Sequence, residues 1–107
     1  MEDCIFCSIA NGDPEKLVWH NDVAAAFNDL HPAAPVHILV APKTHIESLD
    51  QLDDSDLAGR LLLAVREAAH AVGLKGKWRL QVNNGRSVGQ TIPHLHFHVL
   101  GGMTMAE

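Results

Sequence analysis

Basic residues are scarce in this sequence: eight lysines and arginines face thirteen aspartates and glutamates, which leaves a formal net charge of −5 at pH 7. Proteins that hold nucleic acid by neutralising phosphates, or that dock on anionic membranes through polybasic patches, need the opposite balance. No apolar run approaches the ~20 residues that a membrane span needs. The sequence therefore predicts neither a nucleic-acid partner nor a membrane partner.

Cysteine is also scarce, with only Cys4 and Cys7 among 107 residues. The first four residues lack the basic region and the long apolar stretch of a secretory signal, so the expected location is cytoplasmic. In that compartment two cysteines are expected to be free thiols or metal ligands rather than a disulfide. The Cys-x-x-Cys spacing is half of a zinc site, but redox pairs and buried thiols share it.

What the chain does contain is typical of one globular domain, residues 1–107, with 47% apolar and 20% charged residues. Apolar residues recur with the helical period after Ser55, which is the expected N-cap, and Gly73 suits the position that follows a helix. A short helix is predicted near residues 4–10. The predicted strands are residues 17–20, 23–28, 36–41, 78–83 and 94–100. This pattern predicts an α+β fold in which a mainly antiparallel five-stranded sheet carries one long helix and a short N-terminal helix.

Histidine is abundant, with eight in the chain and three of them at positions 94, 96 and 98. In a strand, alternate side chains share a face, so these three rings are expected on one face and Leu95, Phe97 and Val99 in the core behind it. Residues i and i+4 of a strand are ~13 Å apart, so one metal ion cannot bind all three histidines. Adjacent pairs could each share an ion.

Nucleophilic catalysis explains such a strand better. The reference pKa of histidine is ~6.5, so a large fraction of the rings is neutral at pH 7. A neutral imidazole can attack phosphorus and leave again, while a flanking histidine donates hydrogen bonds to a phosphoryl oxygen or a leaving group. The pattern therefore favours nucleophilic attack on phosphorus by a histidine.

The run from His94 to Leu100 resembles the His-φ-His-φ-His-φ-φ motif of the histidine triad (HIT) superfamily. The resemblance covers nearly the whole chain, and Gly101-Gly102 after the triad resembles the Hint branch, the nucleoside phosphoramidases. Further segments similar to the family are Ile5-Phe6, Phe27-Asn28-Asp29, Pro35-Val36-His37, Pro42-Lys43-Thr44-His45-Ile46, Val82-Asn83-Asn84-Gly85 and Gly89-Gln90-Thr91.

This resemblance implies a role for individual residues. His96 would be the nucleophile, His98 would contact the phosphate or its bridging atom, and His37 would complete the histidine cluster. Asp29 would bind the ribose hydroxyls, which suits a carboxylate acceptor. Asn83 and Thr91 would contact the α-phosphate or its surroundings, with Gln90 beside them. The residues expected around the purine are Ile5, Phe6, Ile9, Phe27 and Leu30.

Two further expectations come from the same resemblance. Bacterial members combine an N-terminal Cys-x-x-Cys with two histidines, so Cys4, Cys7, His45 and His94 would hold a structural zinc ion. Family members form two-fold dimers, and Trp78 and Leu80, with the apolar helix, are the surfaces expected to serve a homodimer.

The function implied is a hydrolase that cleaves purine nucleoside 5′-phosphoramidates, or related nucleotide conjugates, through a nucleotidyl-histidine intermediate. A dinucleoside polyphosphate hydrolase of the Fhit branch is the alternative, since Gly89-Gln90-Thr91 resembles that branch too. A zinc-stabilised nucleotide-binding module with little turnover is a third. The chain has only five residues after Gly102, fewer than many Hint proteins, which leaves the leaving-group preference open.

Overall fold

A computed structural model describes residues 4–106. It contains a five-stranded sheet in the order β1-β2-β3-β5-β4, in which all neighbouring strands are antiparallel. The strands are β1 (Trp19–His20), β2 (Ala24–Asn28), β3 (Val36–Pro42), β4 (Trp78–Gln81) and β5 (Phe97–Gly101). The helices are α1 (Ile5–Ala10) and α2 (Ser55–Ala71). The predicted α+β architecture is confirmed.

The long helix α2 covers one face of the sheet. Its buried residues, from Leu61 to Ala69, pack with the inward side chains of β2, β3 and β5, including Val99. The N-cap is Asp54 rather than Ser55, because the Asp54 carboxylate accepts the Leu57 N–H at 3.1 Å. At the other end Gly73 adopts φ +83°, as predicted, which satisfies the last carbonyls of the helix.

The histidine strand is shorter than the alternating pattern predicts. β5 begins at Phe97, and His94 to His96 form an irregular segment before it. Pro93 removes one backbone donor there, and the Leu95 N–H bonds to the Ile46 carbonyl at 2.7 Å instead of to a ladder partner. Leu95, Phe97 and Val99 nevertheless lie in the core as predicted.

A second, smaller apolar cluster lies on the opposite face of the sheet, under α1. Its buried members are Phe6, Phe27, Leu39 and Ala41, and Ile92 packs against them. The short helix α1 is therefore held by the side of the sheet that also carries the histidines. Neither helix in residues 4–106 is long and apolar enough to cross a membrane.

Candidate active site and metal-binding cluster

His96 lies directly before β5 and is almost fully buried. Its Nδ1 is 2.8 Å from the His94 carbonyl oxygen, and because a carbonyl only accepts, Nδ1 carries the hydrogen. In the neutral ring, Nε2 is then a free lone pair. The Phe6 ring lies edge-on to the imidazole, with centroids 4.9 Å apart, and limits its rotation. The ring is therefore held in place with the Nε2 lone pair free, which is what a nitrogen nucleophile requires.

His37 and His98 form a hydrogen-bonded pair across two central strands. Leu39 of β3 pairs with His98 of β5, so His37, two residues away, lies on the same face as a diagonal neighbour. The Ala33 N–H donates to His37 Nδ1 at 2.9 Å, which places the His37 hydrogen on Nε2. That Nε2 is 2.9 Å from His98 Nδ1.

The other nitrogen of His98, Nε2, is buried and has no hydrogen-bond partner among the described residues. Burial lowers the pKa of His98 to about 4, helped by neighbouring His96 and His37 and opposed by Asp29. His98 is therefore neutral at pH 7. When Nδ1 accepts from His37, the single hydrogen of His98 sits on the unpartnered Nε2.

Asp29 follows β2 and is held next to His37, since the Asp29 N–H donates to the His37 carbonyl at 3.0 Å. Its Oδ1 accepts the His31 N–H at 2.8 Å. Its Oδ2 is 3.3 Å from His37 Nε2 and 4.0 Å from His98 Nδ1. Asp29, the residue expected to bind the ribose, is thus also part of the histidine network.

Of the apolar residues expected around the purine, Phe6 and Phe27 form a buried edge-to-face pair with centroids 5.3 Å apart. Ile9 is partly buried against them, whereas Ile5 is exposed and Leu30 is 88% exposed. The same cluster includes Leu39 and Ala41, which the sequence analysis did not assign to this site. They could have been found from the sequence, because alternate side chains of a strand share a face and His37, Leu39 and Ala41 are two residues apart.

Asn83, Gln90 and Thr91 belong to the loop before the histidines. Gln90 is buried, and its side chain is taken up by backbone groups: Nε2 donates to the Glu47 and Ile92 carbonyls, and Oε1 accepts the Gly85 N–H. Gln90 therefore holds the loop in its conformation through these hydrogen bonds.

Thr91 is exposed and lines a cavity of about 240 Å³ with Gln90. Asn83 is partly buried and lies next to Gly89, whose φ of +104° would be strained in any residue with a Cβ.

The four residues expected to bind zinc lie together, with ligand atoms within 4.8 Å of one another. Nδ1 of His94 is 3.2 Å from the sulfur of Cys4 and 3.4 Å from that of Cys7, and Nδ1 of His45 is 3.3 Å from the Cys7 sulfur. In a tetrahedral zinc site with usual bond lengths, sulfur and nitrogen ligands are about 3.6 Å apart. The cluster could hold a metal ion with small adjustments.

The hydrogen positions also suit a metal. His94 Nε2 is 2.8 Å from the Pro42 carbonyl oxygen, so it carries the hydrogen and leaves Nδ1 free to coordinate. Burial lowers the pKa of His94, which keeps the ring neutral. Burial and the neighbouring Cys4 raise the pKa of Cys7, and a coordinated cation would reverse that shift by removing the proton.

Comparison with known proteins agrees with this fold and site. The HIT domain family model matches residues 11–105. The chain is 43% identical over 104 residues to an uncharacterised HIT-like protein of Synechocystis, covering 94% of this chain and 91% of that one. It is 38% identical over 104 residues to protein HitA of Neisseria gonorrhoeae, covering 94% and 97% of the two chains. The chain belongs to the HIT family.

Solved structures give the same result. A histidine triad protein from Clostridium difficile superposes with a TM-score of 0.88 at 39% identity, covering 100% of this chain and 96% of that one. A structure described as a HIT family hydrolase from Legionella pneumophila superposes with a TM-score of 0.87 at 37% identity, covering 97% and 96%. The family match includes the histidine network but begins after Cys4 and Cys7.

Proposed function

We propose that this protein is a hydrolase that cleaves purine nucleoside 5′-phosphoramidates, or related nucleotide conjugates, with His96 as the nucleophile. The observation that carries the proposal is the 2.8 Å bond from His96 Nδ1–H to the His94 carbonyl, which leaves Nε2 as the free nitrogen of a buried ring. Membership of the HIT family and similarity to a chain described as a hydrolase support the reaction type.

In the first step, His96 Nε2 attacks the α-phosphorus and the bond from phosphorus to the amine nitrogen breaks. The amine leaves with the electron pair of that bond and needs a proton. A water molecule supplies that proton and becomes hydroxide, while Nε2–H of His98, whose Nδ1 accepts from His37, donates a hydrogen bond to the departing nitrogen. Nε2 of His96 then carries the nucleotidyl group.

In the second step, the hydroxide attacks the same phosphorus and the bond to His96 breaks, with its electron pair returning to His96 Nε2. His37, His96 and His98 keep their own ring hydrogens throughout, so the histidines return to their starting state. The products are a nucleoside monophosphate and an amine. Asp29 is placed to accept hydrogen bonds from the ribose, while Phe6 and Phe27 supply an apolar surface for the base.

The substitution His96→Ala tests this proposal. We expect turnover of an adenosine 5′-phosphoramidate to fall by several orders of magnitude, given that removing the nucleophile of a well-studied hydrolase costs ~10⁶. Adenosine monophosphate should still bind, because the pocket remains. His20→Ala, at an exposed histidine of β1, is the matched control. Turnover within a few-fold of wild type in His96→Ala would exclude the mechanism, and a dinucleoside polyphosphate assayed in parallel identifies the better leaving group.

We propose zinc for the metal-binding cluster. Cys4, Cys7, His45 and His94 would hold it as a closed structural site that ties α1 to the segment before β5, and the ion would take no part in the reaction. The donor set and the distances support this assignment. Elemental analysis of protein purified without chelator would show about one zinc per chain.

We also propose a homodimer. β4 is an edge strand of the sheet, and Leu80 on it is 38% exposed. A second copy could cover this apolar edge by two-fold symmetry. Sedimentation at micromolar concentration should give twice the chain mass of 11.6 kDa, and only the single-chain mass would exclude the dimer.

A further inference from the structure

The only two cysteines of the chain lie side by side in the first turn of α1. Both are partly exposed, whereas His94 beside them is fully buried. The sulfur atoms of Cys4 and Cys7 lie within 4.8 Å of each other, and the Cys7 N–H donates to the Cys4 sulfur at 3.3 Å. A small reagent in solution therefore has access to two thiols that are close enough to react with one another.

A hydroperoxide oxidises such a pair in two steps. One thiolate attacks an oxygen of hydrogen peroxide, the O–O bond breaks, and the sulfur becomes a sulfenic acid while hydroxide leaves. The second thiolate then attacks that sulfur, the S–O bond breaks, and a second hydroxide leaves with the electron pair of that bond. The two sulfur atoms together lose two electrons, the peroxide gains them, and a disulfide is formed.

A disulfide would dismantle the metal-binding cluster. The Cys4 sulfur lies 3.2 Å from His94 Nδ1, and the Cys7 sulfur lies 3.3 Å from His45 Nδ1. Thiolates bind metals, and the sulfur atoms of a disulfide carry no such charge. Oxidation therefore removes two of the four donors, and the two imidazoles that remain cannot form a closed tetrahedral site. Release of the metal follows from formation of the disulfide.

The cluster also touches the proposed nucleophile at two points. Phe6 lies between the two cysteines in sequence, and its ring is edge-on to His96 with centroids 4.9 Å apart. His94 directs its ring at the sulfur atoms and supplies the carbonyl that accepts from His96 Nδ1 at 2.8 Å. Closing a disulfide constrains the turn that carries Phe6, and loss of the metal frees the His94 ring. Both changes reach His96.

We propose that Cys4 and Cys7 are an oxidation site, at which a hydroperoxide forms a disulfide, releases the metal and reversibly lowers the nucleotide-cleaving activity. The effect on turnover rests on the proposed function and the released ion on the proposed zinc site, whereas the disulfide depends on neither. The Cys-x-x-Cys spacing, which zinc sites and redox pairs share, then serves both purposes in one protein. Thiol reductants reopen a disulfide, so the cluster is rebuilt when zinc is present.

Mass spectrometry and metal release test this site without turnover. Protein loaded with one equivalent of zinc is treated with hydrogen peroxide. We expect zinc to pass to a colorimetric chelator and the mass of the chain to fall by two hydrogens relative to the reduced, metal-free chain. Iodoacetamide should label neither cysteine until dithiothreitol is added. A chain that gains oxygen atoms at the cysteines instead, or that forms a disulfide between two chains, would overturn the proposal.

The matched control is Cys4→His, which keeps a metal ligand at this position but cannot form the disulfide. We expect this variant to retain zinc and turnover at the peroxide concentration that inactivates wild type. Cys7→Ser is the second variant, and circular dichroism establishes that each variant is folded. Equal peroxide sensitivity of turnover in wild type and in both variants would show that oxidation acts at another residue, and the proposal would be wrong.

Turnover gives the functional readout. Oxidised wild type should cleave an adenosine 5′-phosphoramidate at least about tenfold more slowly, since a displacement of about 1 Å can cost 10²-fold in rate. Dithiothreitol with zinc should restore the rate, and an oxidised protein that works at the full rate would contradict the proposal. If the disulfide forms and releases zinc but neither form cleaves the phosphoramidate, the proposed function fails and the oxidation site stands. If His96-dependent cleavage occurs and no disulfide forms, the reverse holds.

Discussion

Two clusters of histidine with acidic or thiol partners lie towards opposite ends of β3, and they are built for different chemistry. One comprises Cys4, Cys7, His45 and His94, and the other comprises Asp29, His37 and His98. Both bring their ligand atoms within 4.8 Å, so proximity alone would assign a metal to each.

The two clusters differ in the backbone group that forms a hydrogen bond with one of their histidines. In the first cluster the Pro42 carbonyl accepts from His94 Nε2 and leaves Nδ1 as a lone pair that faces the sulfur atoms. In the second the Ala33 N–H donates to His37 and puts the ring hydrogen on Nε2, where a metal would have to bind. A carbonyl thus prepares a ligand, whereas an amide prepares a proton donor. The second cluster is therefore suited to donating hydrogen bonds rather than to holding a metal ion.

Metal removal should have the largest effect and should act on the first cluster. Replacing both cysteines by serine removes two ligands, so we expect loss of zinc and a lower melting temperature. A loss of only ~3 kcal/mol would lower Tm by more than ~10 °C in a domain of this size. Ser8→Ala, an exposed change on the same helix, is the control. If the wild-type protein contains no metal and its melting temperature is unchanged by chelator, both cysteines are free thiols and the zinc site is excluded.

Breaking the second cluster should affect rate rather than stability or metal content. His37→Asn removes the donor to His98, and we expect kcat to fall 10²–10⁴-fold, the usual contribution of a positioned acid or base. Zinc content should be unchanged. The exposed His31→Asn, six residues earlier, should leave kcat near wild type. Loss of metal in His37→Asn would show that the clusters are not independent.

Acid should destabilise the protein through His98. Its pKa is about 4 when folded and ~6.5 when unfolded, so between these values the unfolded chain binds more protons. The stabilisation is complete above pH ~6.5 and falls as the pH falls, by about 2 kcal/mol at pH 5 and at most about 3 kcal/mol. Urea unfolding at pH 7 and pH 5 measures this loss, and His98→Asn should lack it. Equal pH dependence in both proteins would contradict the burial of His98 as a neutral ring.

The smallest effect concerns the support of the first cluster. Asn11 Nδ2 donates to the Cys7 carbonyl at 3.0 Å and to the Lys43 carbonyl at 2.9 Å, which ties α1 to the end of β3. Asn11→Ala should cost about 1 kcal/mol of stability and speed the loss of zinc to a chelator. Asn11→Asp keeps the shape but cannot donate, so it should behave like the alanine variant. A difference in stability between the two variants would show that side-chain packing, rather than the hydrogen bonds, accounts for the effect of Asn11.

The sequence was informative wherever side chains carry the signal. The alternating pattern after Pro93 predicted the core residues Leu95 and Val99, and the helical period predicted the buried face of α2. The start of β5 was predicted three residues too early, because alternation continues through an irregular segment. The backbone groups of Ala33 and Pro42, which decide what each cluster does, have no signature in residue type. Their placement depends on the tertiary structure.

The contact between Cys4 and His94 joins residues 90 positions apart, so it closes a loop that includes most of the chain. Closing such a loop is entropically costly, and a metal clip that holds it removes that freedom from the unfolded ensemble. During synthesis the cysteines are made long before the triad histidines. The cluster cannot assemble until His94 has been added, and the contact of Phe6 with His96 forms only at that stage too. Both sites are thus assembled late, from residues made at well-separated times.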